Sequence, residues 1–345
     1  MTRTLGWDVG GAHLKAVLAE KGEVLKAWQE PTPIWKGLEH LDASLDSILG
    51  KVGDVSHHAV TMTGELSDIF ADRSEGVREL TKILSGRLGG GMRLYAGEAG
   101  FVSAWTLGEH SEKIASANWH ASAALTAVRM EEALFVDMGS TTTDIVPVKN
   151  GRVLAHGQTD AARLLSGELV YQGHTRTALM AVAHEISFGG RRTPIMAEFF
   201  ATMADVQRIL GALDEDDDQY PAADGKEKTV AASRARLARM IGRDASDATP
   251  AALEHLAEGF AEAQIRRIHD AALTVLSRGE IADDAPVVVA GAGRNVVKRL
   301  AARLDRGVVD FCDLVDCRSD LRAAIGRAAP AAALAILAED AASKK

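Results

Sequence analysis

The sequence predicts an α/β protein built from two duplicated lobes, and three observations carry that prediction. An apolar strand that ends in Asp and runs into a glycine-containing turn occurs twice, at Asp8 and again at Asp137. Segments with helical apolar spacing alternate with short apolar strands throughout. The length, 345 residues, suits two domains.

The elements follow in order. Leu5, Trp7 and Val9 alternate with Gly6 and Asp8, Gly10-Gly11 turns the chain, and His13–Leu18 resumes a strand before a hairpin turn at Lys21-Gly22-Glu23. Leu38, Leu41, Leu45, Ile48 and Leu49 give a helix over 37–51. A strand over 58–63, a helix over 72–88 and a short strand over 92–95 complete the pattern of the first half. The second half opens alike: strand 133–139, polar turn 140–144, strand 145–148, a turn at Asn150-Gly151 and a returning strand at 153–155. Residues 195–280 read as mostly helical around an acidic loop, Asp214–Asp218. Val287–Ala290 is a buried strand before a glycine turn, 295–304 a helix, 308–311 a strand and 320–337 an Ala-rich helix. The expected domains are a first lobe over 1–130, with the segment 322–345 packing back on it, and a second lobe over 131–321 with the helical insertion.

Composition bounds the function. Hydrophobic residues make up 47% and charged residues 25%, as in ordinary globular domains. The net charge of −9 disfavours nucleic acid and anionic lipid as partners. Cys312 and Cys317 lack Cys or His partners at zinc spacing, so a disulfide framework and a structural zinc site are not expected. No leader sequence is read at the N-terminus and no apolar run is long enough to span a bilayer, so a cytoplasmic location is expected.

Three turns hold residues suited to chemistry. Gly10 and Gly11 leave backbone N–H groups open to phosphate oxygens, Asp8 can hold Mg²⁺ through water, and Lys15 adds positive charge. Gly139, Ser140, Thr141, Thr142 and Thr143 repeat that turn between Asp137 and Asp144. Gly291, Gly293 and Arg294 form a strand-to-helix turn that permits close approach of an anionic or planar ligand. In this order and spacing the three resemble the phosphate-1, phosphate-2 and adenosine motifs of the actin, sugar-kinase and heat-shock-chaperone ATPase superfamily. That resemblance implies RNase H-like lobes with a ligand cleft between them.

A narrower resemblance follows. Asp8-Val9-Gly10-Gly11 and Asp137-Met138-Gly139-Ser140-Thr141-Thr142-Thr143-Asp144 look like the hydantoinase A/oxoprolinase branch. Thr63-Gly64-Glu65-Leu66, Asn118-Trp119-His120-Ala121, Gly167–Gly173, Ala197–Thr202 and Ala223-Asp224-Gly225 look like one subgroup of it, linked to tetrahydromethanopterin-dependent one-carbon metabolism. Its archaeal members include a synthase of methanofuran biosynthesis. The resemblance implies a transferase that joins an aminomethyl-furanmethanol diphosphate to the phenol of a glutamylated tyramine or tyrosine and releases diphosphate. It implies Mg²⁺ at Asp8 and Asp137, with Asp144 as a further ligand, and Lys15 on the diphosphate. The base is His13 or Glu65. Ala12-His13 stands where many relatives carry Thr or Ser, which fits a pocket reused for a diphosphate other than ATP.

Other residues carry two readings each. Arg176 either grips a glutamate carboxylate or is an exposed loop residue. Asn118 and Trp119 line the pocket, or Trp119 is a core residue. His57-His58 reads as a surface strand start, the 214–218 acid run as a solvated loop, and His184-Glu185 as a zinc-protease half-motif that fails at Phe188. The 195–280 helices suit a lid or a homodimer surface. An ATP-dependent kinase or ATPase and a nucleotide-binding partner protein stand as the alternative functions.

Overall fold

The computed structural model describes residues 3–343. Strands β1 (Arg3–Val9), β2 (His13–Glu20) and β3 (Glu23–Pro31) precede α1 (Glu39–Val52), β4 (His57–Met62), α2 (Arg73–Leu88), β5 (Arg93–Tyr95) and β6 (Phe101–Ser103). Helices α3 (Leu107–Ile114) and α4 (Asn118–Arg129) lead to β7 (Glu132–Met138), β8 (Thr143–Lys149) and β9 (Arg152–Val153). Next come α5 (Asp160–Ser166), β10 (Leu169–Val170), β11 (Glu185–Phe188), β12 (Arg191–Pro194), α6 (Met203–Ile209), α7 (Val230–Arg239) and α8 (Pro250–Leu276). The chain ends with β13 (Val287–Ala290), α9 (Arg294–Arg303), β14 (Val308–Asp310), β15 (Asp316–Cys317), α10 (Arg322–Arg327) and α11 (Ala329–Ser343).

The chain divides into two compact units. One takes the described residues of Met1–Phe135, Val146–Asp160 and Val309–Lys345; the other takes Val136–Ile145 and Ala161–Val308. Residues 131–135, 146–160 and 309–321 thus belong with the first unit, where the sequence reading puts them in the second lobe. The last two residues of the expected 322–345 segment lie outside the described residues.

One sheet runs β15-β3-β2-β1-β4-β5-β6, and the other runs β10-β8-β7-β13-β14 with β9 beside β8. The central order β2-β1-β4-β5 therefore recurs as β8-β7-β13-β14, which is the duplication read from the two Asp–Gly turns. Asp8 and Asp137 each stand near the C-terminal end of a central strand, β1 and β7. In the first unit β1 pairs antiparallel with β2 and parallel with β4.

The Ala-rich C-terminal segment is two helices, not one. Pro330 lacks an N–H and clashes with a continuing helix before it, so the chain turns by 105° at Ala328. After the turn, α11 lies so close to β1 that a Cβ at Gly6 would strike the backbone of Ala331 and Ala335. Ala329 and Ala331–Ala335 are fully buried. Small residues on α11 and a glycine on β1 are one device for close packing. Among the described residues no single helix is long and apolar enough to cross a membrane.

The helical region over 195–280 has its own core. Met203, Val206, Leu237, Leu253, Leu256 and Phe260 pack with Leu179 and Ile186. The β11–β12 hairpin that carries Ile186 turns through Gly189 and Gly190, both at positive φ, as a two-residue hairpin requires. Helices α3 and α4 were not read from the sequence, and the strand expected at 153–155 is only the two-residue β9.

Candidate functional site

In the first unit β1 delivers Asp8 and β2 delivers Lys15. The two are register partners, with Nζ 3.9 Å from Oδ2. The turn between them closes when the Gly10 N–H donates to the His13 carbonyl at 3.0 Å. His13 is itself buried and starts β2. The segment after β4 packs on this turn. The Thr63 N–H donates to the Val9 carbonyl at 2.9 Å, and a Cβ at Gly64 would press on the Val9 and Gly10 carbonyls. The backbone thereby places Glu65 next to the Gly10-Gly11 turn.

Glu65 is 1% exposed. Its Oε1 accepts from the Ser116 N–H at 2.8 Å and the Ser116 hydroxyl at 3.0 Å. Burial pushes the carboxyl up to about 7, against the opposing pull of its own N–H, those two bonds and the Arg73 guanidinium. Ser116 sits just before α4, which begins at Asn118. The Asn118 Oδ1 accepts from the Trp119 N–H at 2.8 Å, and Trp119 is buried edge-on to His120. The core reading of Trp119 fits that burial. Its neighbour His120 meets the Tyr95 hydroxyl at 2.9 Å.

In the second unit the corresponding turn follows Asp137. The Gly139 N–H donates to the Thr142 carbonyl at 2.9 Å, and the Gly293 N–H donates to the Met138 carbonyl at 2.8 Å. A Cβ at Gly291 would collide with Asp137 and Met138, and one at Gly293 with the Met138 side chain. The third sequence motif is therefore packed directly against the second, and its glycines are required there by the Asp137 strand end itself. Gly291 also has φ +87°.

A further segment supports this turn and was only partly read from the sequence. Gly173 meets Ser140 and Thr141 backbone so closely that no Cβ fits. The His174 N–H donates to the Gly139 carbonyl, and the Thr175 and Arg176 N–H groups donate to the Ser140 carbonyl, at 2.9 to 3.2 Å. The Thr143 hydroxyl donates to the Gln172 carbonyl at 2.8 Å, and Gln264 Nε2 donates to the Gly173 carbonyl at 2.9 Å. Burial and the nearby Arg294 hold His174 neutral, pushed down to about 4 despite a bond to the Ala212 carbonyl. The available signal was the glycine in Tyr171-Gln172-Gly173, whose packing role needs the fold to be seen.

Arg176 is exposed, with Nη1 3.4 Å from Thr141 Oγ1 and its guanidinium 5.8 Å from the Tyr220 ring centroid. Tyr220 rides on the acidic segment, and that segment is not simply solvated. Arg208 binds Glu215 at 3.0 Å and also Asp218, and buried Arg236 binds Asp205 at 2.7 Å and Asp224 at 3.1 Å. Asp224 is thus an ion-pair partner of Arg236. His58 is also tied down, since its Nδ1 accepts from the Trp7 indole N–H at 3.1 Å.

Asp144 is committed elsewhere. Its Oδ1 lies 2.9 Å from the Nη1 of fully buried Arg163, so its charge neutralises that guanidinium and is a poor choice for a metal. Asp8 and Asp137 remain as hard oxygen donors. Among the described residues no three His, Cys, Asp or Glu side chains converge. Each of Asp8 and Asp137 is a hard oxygen donor of the kind Mg²⁺ takes, water and phosphate oxygens completing its shell.

The family model described as hydantoinase/oxoprolinase matches residues 56–311. The (4-{4-[2-(gamma-L-glutamylamino)ethyl]phenoxymethyl}furan-2-yl)methanamine synthase of Methanocaldococcus jannaschii is 30% identical over 295 residues, covering 85% of this chain and 87% of that protein. Among solved structures, nucleotide-free acetone carboxylase superposes with a TM-score of 0.54 at 11% identity, over 85% of this chain and 66% of that one. A ROK-family glucokinase from Streptomyces griseus, in complex with glucose and AMPPNP, gives 0.50 at 13% identity over 98% and 99%. The structural likenesses establish the fold, which is that of the actin-like and sugar-kinase ATPases. The sequence likenesses establish more: this chain belongs to the hydantoinase/oxoprolinase family.

Proposed function

We propose that this protein is a methanofuran-type synthase, forming an aryl ether between a furanylmethyl diphosphate and the phenol of a glutamylated tyramine or tyrosine. Its product would serve tetrahydromethanopterin-linked one-carbon metabolism. The observation that carries this reading is the 30% identity, over most of both chains, to a protein named for that product. The two Asp–Gly turns support it, because a leaving diphosphate needs what they offer.

The chemistry asks little of the protein beyond positioning and electrostatics. The furan ring oxygen stabilises positive charge at the methylene as diphosphate departs. Lys15, on β2 beside the Gly10-Gly11 turn, supplies a cation for a phosphate oxygen. The Gly10-Gly11 and Ser140–Thr143 backbones would cradle the diphosphate, with the Gly11 N–H as the donor of the first turn because that of Gly10 is taken by the His13 carbonyl. Asp8 and Asp137 would hold Mg²⁺, which neutralises developing phosphate charge when bound. Arg176 binds an acidic group, such as the acceptor's glutamate carboxylate. A phenol ordinarily titrates near 10, so a base assists its attack, and His13 and Glu65 are the nominees.

The sugar-kinase fold favours ATP-dependent phosphoryl transfer as the second reading. Purified protein with Mg²⁺ is given ATP in one arm and the furan diphosphate with acceptor in the other. Ether product in the second arm, with no ADP in the first, is the expected outcome. ADP without ether moves the assignment to a kinase. Stabilisation by ATP with no product in either arm moves it to a nucleotide-binding protein.

A further inference from the structure

The geometry points to Glu65 as the proton acceptor for the phenol, with Oε2 as the atom that takes the proton. This assignment rests on the synthase reading and deepens it, because sequence alone left His13 and Glu65 level.

Three separate features of the first unit are built around this one carboxyl. A Cβ at Gly64 would strike the Ile34 Cδ1 and sit tight on the Val9 carbonyl, so the close approach of this segment to the first turn, with Glu65 next in the chain, depends on glycine. Gly76 on α2 is equally constrained, since a Cβ there would collide with the Glu65 backbone and Cβ. Ser116 adopts φ +53°, a costly conformation for a residue with a side chain, and from it gives both its donors to Oε1. Oε2 is buried and makes no hydrogen bond among the described residues. A buried oxygen left without a donor is destabilising, and folds keep such groups where a ligand uses them.

The charged and titratable groups on the surrounding elements are few. Arg73 on α2 acts on the carboxyl and is itself paired with Asp160 at 2.9 Å. Glu75 on α2 accepts from the Ala71 N–H at 2.5 Å. Asp8 and Lys15 face each other across β1 and β2, His13 begins β2, and His120 on α4 faces Tyr95. Burial outweighs the attraction of Arg73, so the carboxyl titrates near neutrality, where a base is most effective.

The step balances. The phenol proton passes to Oε2, and the phenol oxygen's electron pair forms the new bond to the furanyl methylene. The bond from that carbon to the diphosphate oxygen breaks, and its pair leaves with diphosphate. Glu65 then returns the proton to solvent.

The test compares wild type with Glu65→Gln, which keeps Oε1 for Ser116 and cannot take a proton. Expected are a kcat lower by about 10²- to 10⁴-fold, an acceptor KM within about threefold, and loss of the acidic limb of the pH–rate profile near 7. A ring-fluorinated acceptor, whose phenol is more acidic, should rescue the variant by more than tenfold relative to wild type. An unchanged kcat and limb in the variant, or no fluorine rescue, overturns the assignment. If the variant does not fold, His13→Gln with Glu65 intact decides. A limb near 7 that persists in it and flattens with the fluorinated acceptor supports Glu65, and a limb lost with His13 overturns the assignment. If wild type makes no ether at all, the synthase reading fails and the assignment fails with it, a result distinct from the others.

Discussion

The Gly10-Gly11 turn of the first unit and the Gly139–Thr143 turn of the second are built from the same two backbone bonds. Gly10 N–H to His13 carbonyl corresponds to Gly139 N–H to Thr142 carbonyl. Thr63 N–H to Val9 carbonyl corresponds to Gly293 N–H to Met138 carbonyl. The surroundings differ. The first turn is flanked by Asp8, Lys15 and a buried Glu65, and a Cβ at Gly11 would meet the Gly64 Cα at an ordinary 4.0 Å. The second is hemmed in by glycines at 173, 291 and 293 and by the buried Arg163–Asp144 pair. Duplication kept the backbone device and let the side chains divide the work. The first turn collects titratable groups, whereas the second is clamped in shape.

The largest test of this comparison removes one strand-end carboxylate at a time. Asp8→Asn and Asp137→Asn should each lower kcat by about 10²- to 10³-fold, the size seen for losing one transition-state stabiliser, with thermal stability little changed. Steady-state ether formation measures the first and a melting curve the second.

Next is the pair that only the second turn has. Asp144→Asn leaves the Arg163 guanidinium buried without its counter-charge and should destabilise by about 3–5 kcal/mol in denaturant melts. The glycines come third. Gly291→Ala combines φ +87° with a collision at Asp137 and Met138 and should cost roughly 2 kcal/mol or more. Gly11→Ala should cost under about 1 kcal/mol, since its Cβ has room, yet raise the KM for the furan diphosphate. Equal stability losses at the two positions would break the comparison.

A further expected effect is a slope with pH. The Glu65 carboxyl ordinarily titrates at 4.5 and does so at about 7 in the fold. Its contribution to stability is therefore complete below pH 4.5 and is lost as pH rises through 7. Glu65→Gln should flatten the decline in stability between pH 5 and 8, by up to roughly 3 kcal/mol.

Much of this fold was legible because the two Asp–Gly turns carry their signal locally: an apolar strand, an acid, then glycine. The packing of Gly291 against Asp137 was not, since the two lie 154 positions apart in the chain and only the sheet order β7-β13 brings them together. Asp144 looked like a metal ligand because its guanidinium partner, Arg163, lies on a short helix with no pattern of its own. The acid run at 214–218 looked solvated for the same reason: Arg208, which binds Glu215 and Asp218, sits on the separate helix α6. The Ala-rich C-terminal stretch was read as one helix although Pro330 stood in it, a local breaker that deserved more weight.

The most direct measurement counts products. Wild-type protein with Mg²⁺, furan diphosphate and glutamylated acceptor is sampled through one time course, with ether quantified by mass spectrometry and diphosphate by phosphorus NMR. The account predicts one diphosphate per ether and no requirement for ATP. Ether that appears only when ATP is consumed, or ADP formed with no ether, would contradict it.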